Sequence, residues 1–103
     1  MAKRLPKHYL RLRKRYGKVV DSVEAVGKAV RMAGPLDEKS AQLIQLAAAA
    51  AIRSEGSVHS HVRRAREAGA SPDEIRHALI LLTSTIGFPT VAAALAWATD
   101  ILG

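Results

Sequence analysis

The run Ser54-Glu55-Gly56-Ser57-Val58-His59-Ser60-His61-Val62-Arg63-Arg64-Ala65-Arg66-Glu67-Ala68-Gly69 separates two helical patterns and holds two of the chain's four histidines. Upstream, Ala41 to Arg53 is alanine-rich and contains neither Gly nor Pro. Ser54, Glu55 and Gly56 read as the polar, Gly-containing linker that stops this helix. Ser57 then reads as the N-cap of the next, its hydroxyl taking a bond from an amide of residue 59 or 60 that helix geometry leaves unpaired. At about 100° per residue, with Ser57 at 0°, Val58, Val62, Ala65 and Ala68 cover an arc from about 20° to about 140°. His61, at about 40°, lies inside that arc, whereas His59, at about 200°, lies opposite among Arg63 and Arg66. The two imidazoles therefore point apart. A metal ion shared between them is not expected, because ligands on one helix stand three or four residues apart, and the residues ask for no other metal or cofactor.

His61 has two readings. It is either a packed imidazole held by a hydroxyl or a carbonyl, or an acid–base group four residues after Ser57 in a site walled by small side chains. On the second reading the start of the helix and Arg53 attract a carboxylate. Arg64, at about 340° on the Ser57 side, is a second carboxylate partner.

Taken together, Ser54 and Ser57 three apart, His61 four beyond, and then x-x-x-A-x-E-A-G-A-S-x-D-E-I ending at Ile75 resemble the carboxymuconolactone decarboxylase and alkylhydroperoxidase D family. The likeness runs from about Leu36 to Leu102, through Gln42 and the alanine run to Gly87-Phe88-Pro89 and an Ala-rich last helix. It implies an all-α, alkylhydroperoxidase D-like bundle of about six helices and assembly with further copies of itself as a trimer or hexamer. It also implies a site in which His61, Ser57 and Ser54 occupy the catalytic positions, with Arg53, Arg64 and Gln42 on the substrate side. Two departures matter. The peroxidase branch carries Cys where Ser54 and Ser57 stand, and Glu where Gln42 stands. A serine hydroxyl can form neither thiolate nor disulfide, so the redox motif is lost. The decarboxylase branch, which works without the Cys pair, leaves non-redox chemistry on a small carboxylate or lactone as the implied function. The alternative is a non-catalytic scaffold or ligand-binding homo-oligomer.

The rest of the sequence frames this site. At 103 residues the chain reads as one domain, 1–103, with a basic arm at 1–17 and a family-like core at 36–102. There is no cysteine, one Phe and one Trp, so close helix-on-helix packing through alanine replaces a thick aromatic core. No apolar run is long enough for a membrane span and no signal peptide is apparent, so a soluble, cytoplasmic protein is expected. Of the 16 Lys and Arg residues, Lys3, Arg4, Lys7, Arg11, Arg13, Lys14, Arg15 and Lys18 fall in the first 18 positions, which hold no acid. That arm is a third functional possibility, a nucleic-acid contact. Its only aromatics, Tyr9 and Tyr16, share one apolar stripe with Leu5 and Leu12, which suits packing against protein better than stacking against bases.

Helical spacing places a second helix through Val19, Val23, Val26 and Val30, closed near Gly34-Pro35. Asp37 caps a third helix with an apolar face of Leu43, Leu46, Ala47 and Ala50. Ser71-Pro72-Asp73-Glu74 is a capping box with Pro at the first helical position. It starts one long helix buried through Ile75, Ala78, Leu79, Leu82 and Ile86, with His77 at the surface. Thr90 to Leu102 is apolar nearly all round, so a second copy is expected to cover part of it.

Overall fold

A computed structural model describes residues 5–103, so Lys3 and Arg4 of the basic run lie outside the described residues. It is all-α: α1 Lys7–Arg15, α2 Gly17–Arg31, α3 Glu38–Ala51, α4 Glu55–Glu67, α5 Pro72–Ile80, α6 Thr83–Ile86 and α7 Phe88–Leu102, with no strand among the described residues. No described helix is long and apolar enough to cross a membrane. The chain divides into two compact units between Pro35 and Leu36.

In the first unit, α1 and α2 follow each other with Tyr16 alone between them, and polar contacts hold them together. Arg13 reaches Asp21 at 2.9 Å and Glu24 at 3.1 Å, and the Tyr9 hydroxyl also donates to Glu24. The apolar stripe of α2 is present at the expected spacing, but Val19, Val23, Val26 and Val30 are all exposed.

The second unit is built on α3, α4, α5 and α7, with α6 a single turn. Leu46, Ala49 and Ala50 of α3 meet Val58, Val62 and Ala65 of α4, with Ala70, Ile75, Leu79, Ala94 and Ala98 completing the core. Alanine on both sides of the α3–α4 seam lets the two backbones approach closely. The expected long helix after Ser71 is interrupted instead: α5 stops at Ile80, and Thr83, which opens α6, donates its hydroxyl to the Ile80 carbonyl at 2.7 Å. A threonine hydroxyl competing for a helical carbonyl favours this kind of break. Thr83, Ser84 and Thr85 are exposed, as is His77. On α7, Thr90, Val91, Ala94 and Ala98 are buried, while Phe88 and Ala96 face out.

Two chain reversals set the geometry. After α4, Gly69 takes φ 98°, and the Ala70 and Gly69 amides bond the Ala65 and Arg66 carbonyls at 2.9 and 3.1 Å. After α3 the same motif recurs without glycine. Arg53 sits at φ 57°, and the Ser54 and Arg53 amides bond the Ala49 and Ala50 carbonyls at 3.0 and 3.1 Å. Both are Schellman turns, in which a left-handed residue lets the last helical carbonyls be capped. The reversal at Arg53 corrects the sequence reading of Ser54-Glu55-Gly56 as a linker. Only Ile52, Arg53 and Ser54 stand between the helices, α4 begins at Glu55, and Ser57 lies in its first turn rather than at its cap.

The start of α5 follows its sequence signal. Ser71 Oγ accepts from the Glu74 amide at 3.0 Å and Glu74 accepts from the Ser71 amide at 2.9 Å, with Lys39 adding an ion pair at 2.9 Å. Ser71→Ala should lower stability by about 1 kcal/mol in a urea melt. The Ser71 amide bond, and after it Lys39, hold Glu74 below its ordinary carboxylate range. A carboxylate lowered by folding stabilises above its unfolded-state range, and that stabilisation disappears as pH falls through the folded value. Glu74→Gln should therefore weaken the fold near neutral pH and converge with the parent once the parent's Glu74 is protonated.

Candidate functional site

The reversal at Arg53 folds α4 back along α3 and places the polar side chains of the two helices face to face. Gln42 is buried to 1% exposure on α3, an expensive place for an amide unless both of its ends are bonded. Its Nε2 donates to Glu38 Oε1 at 2.8 Å, one turn earlier on the same helix. Its Oε1 lies 2.8 Å from His61 Nδ1 on α4.

These two bonds fix the tautomer of His61. An ionised carboxylate only accepts, so the amide nitrogen must face Glu38 and the amide oxygen must face His61. An amide oxygen also only accepts, so Nδ1 carries the hydrogen, and Nε2 is the basic nitrogen of the neutral ring. The chain Glu38–Gln42–His61 thus orients an imidazole through a neutral intermediary, with the carboxylate one helical turn behind the residue that touches the ring.

His61 lines a pocket of about 250 Å³ together with Gln45, Ala48, Ala49, Ile52 and Ser57. The size suits a small organic molecule rather than a nucleotide-sized cofactor. One wall is apolar and comes from α3, and the other carries the Ser57 hydroxyl and the imidazole. Gln45 Oε1 is buried beside it with no hydrogen-bond partner.

The remaining expected site residues are dispersed. Ser54 occupies the position before α4, and its side chain makes no capping bond. The first amides of α4 therefore lack both an intrahelical acceptor and a serine cap. Arg53 donates to the Thr90 hydroxyl of α7 at 2.8 Å, and Arg64 is exposed; neither lines the pocket. His59 departs from the sequence reading. In place of a solvated outer face, its side chain is only 21% exposed and meets Asp100 of α7 at 2.9 Å.

Three participants were missed from the sequence. Glu38 and Gln45 could have been found, because they lie four before and three after Gln42 on one helix. Asp100 could not, because its proximity to His59 arises only when α7 packs on α4.

Residues 18–100 match the model of the Carboxymuconolactone decarboxylase family, a span that takes in nearly all of α2 and of the second unit. No curated protein matches the chain.

The polarity of the Glu38–Gln42–His61 chain can be tested by one isosteric change. Gln42→Glu removes the donor to Glu38 and sets two carboxylates against each other, one of them buried. It should cost about 1–3 kcal/mol at neutral pH in a denaturant melt, with Glu38→Gln costing less because Glu38 lies at the surface.

Proposed function

The chain belongs to the carboxymuconolactone decarboxylase family, and from that premise we propose that it is a non-redox member that binds a small carboxylate or lactone in the His61 pocket. The observation that carries the reading is the imidazole at the pocket wall, its tautomer set from behind by Gln42, with the Ser57 hydroxyl in the same lining. In this arrangement the ligand lies across the start of α4, where the uncapped amides of the first turn face developing negative charge. His61 Nε2 takes or returns the proton, and Ser57 orients the ligand by hydrogen bonding. Arg53 and Arg64 act at longer range, attracting an anion toward the pocket rather than holding it.

The absence of cysteine from the sequence removes the thiolate on which peroxide reduction in this family depends. No cofactor is needed for proton transfer to a carbon flanked by a carboxyl or lactone carbonyl, because the substrate itself delocalises the charge.

The non-catalytic reading draws on a different feature, the apolar side chains left outside the core. Val19, Val23, Val26, Val30, Ile44, Ile52 and Phe88 are each more than half exposed, and side chains of this kind in rows indicate burial against another chain. On either reading the working form is a cytoplasmic homo-oligomer, a trimer or hexamer, with residues 1–103 acting as one domain and the arm at 1–17 serving assembly rather than nucleic acid.

A thermal-shift screen of small carboxylates and lactones tests the binding claim. A specific ligand should raise the melting temperature of the parent and of His59→Ala but not of His61→Ala; equal stabilisation of His61→Ala would remove His61 from the site. Purified protein should show no peroxide-dependent turnover with any thiol reductant. Light scattering at micromolar concentration should give a mass above that of one chain.

A further inference from the structure

His59, Glu55 and Asp100 take no part in the pocket, yet they converge on one point of the opposite side of α4. Glu55 and His59 stand four residues apart on that helix and Asp100 comes from α7. One donor atom from each lies within 4.8 Å of the other two. We infer that Glu55, His59 and Asp100 form a binding site for a divalent transition-metal ion, separate from the His61 pocket.

The argument rests on charge and distance together. An ion pair between His59 and Asp100 needs only those two groups; a second carboxylate brought to the same point adds repulsion, and even a fully charged imidazolium would neutralise only one of the two carboxylates. A doubly charged cation offsets it, since two carboxylates and a neutral imidazole carry a formal charge of −2. The spacing of one pair fits as it stands: adjacent ligands held at about 2.1 Å from one ion are about 3 Å apart, and His59 Nε2 lies 2.9 Å from Asp100 Oδ2. Glu55, within 4.8 Å of both, closes on the ion by turning its exposed side chain. Without metal, His59 donates its Nε2 hydrogen to Asp100. An ion entering between them takes the Nε2 lone pair of the Nδ1–H tautomer: the Nε2 hydrogen leaves to solvent, Nδ1 takes one up from solvent, and the ring stays neutral.

The donor set also selects the ion. One imidazole and two carboxylates with no sulfur suit Zn²⁺, Mn²⁺, Fe²⁺ or Co²⁺ rather than Cu(I). Glu55 and Asp100 are exposed, so the outer side of the ion is open to water. Both elements that supply ligands are helices packed on the core, so the set is held by rigid backbone rather than by a loop.

Titration of the full-length chain with Zn²⁺ by calorimetry, and with Co²⁺ by fluorescence, tests this directly. Trp97, the single tryptophan, stands one turn before Asp100 on α7, so Co²⁺ at the site should quench it. One ion per chain is expected. Affinity should fall at least tenfold in Asp100→Asn and in His59→Ala and remain at the parental value in His61→Ala and His77→Ala. Asp100→Asn preserves the shape of the side chain, and an unchanged circular dichroism spectrum separates lost binding from lost fold; Glu55→Gln gives a second test at the exposed edge. No saturable binding up to about 1 mM ion would overturn the inference. Undiminished binding by Asp100→Asn, or binding lost equally in His61→Ala, would do the same.

Discussion

The backbone of Arg53 governs much of the second unit. A left-handed conformation costs a residue with a Cβ roughly 1–2 kcal/mol, and glycine ordinarily fills such a position, as Gly69 does one helix later. Arg53 is held there by the two amide bonds that cap α3 and by its guanidinium, which reaches Thr90 on α7. The result is a reversal of three residues in place of a flexible linker. A reversal this short permits little variation in register between α3 and α4, and register is what puts Gln42 opposite His61 and Gln45 beside Ser57. The alanines in the seam support the same geometry, since larger side chains would hold the helices too far apart for a 2.8 Å bond from one to the other.

Most of the fold could be read from the sequence because local chemistry dictates it. The Ser71 capping box, Asp37 before α3, Gly69 after α4 and the spacing of Leu46, Ile75 and Leu79 all act within a few residues of themselves, where sequence patterns carry information. Two errors came from competition between local signals. Gly56 looked like the helix breaker because glycine usually is one, whereas the chain breaks at Arg53 and keeps Gly56 inside the first turn of α4. The run from Ile75 to Ile86 looked continuous because its apolar spacing is continuous; the Thr83 hydroxyl interrupts it at a point that spacing does not register.

The site divides along the same line. His61 lay in the apolar arc of α4 and was legible as a candidate, but its partner was not, since Gln42 reads as a lost catalytic acid until Glu38 is seen behind it. Moving the carboxylate back one turn and inserting an amide keeps the direction of the hydrogen bond to the imidazole while removing charge from direct contact with it. A carboxylate in contact can stabilise an imidazolium and share its proton; an amide can only orient the ring. The amide therefore holds the ring with its Nδ1 hydrogen inward and leaves no carboxylate in direct contact to take that proton.

His59 shows the opposite limit of sequence reading. Its angular position among arginines pointed to solvent, and on an isolated helix that is where it would face. What changes its environment is the arrival of α7, a helix almost without charge except for Asp100. An acidic residue placed on so apolar a helix, at the one position that meets His59, adds little to the solubility of a surface already rich in charge. It acts on α4, where it draws in an imidazole that would otherwise be hydrated, two residues from the imidazole that serves the pocket. Because neighbouring odd positions on a helix point nearly apart, α4 presents two histidines to two separate environments, one set by a neutral amide and one by carboxylates. One histidine of α4 thus meets Gln42 of α3 and the other Asp100 of α7, a division that only tertiary packing reveals.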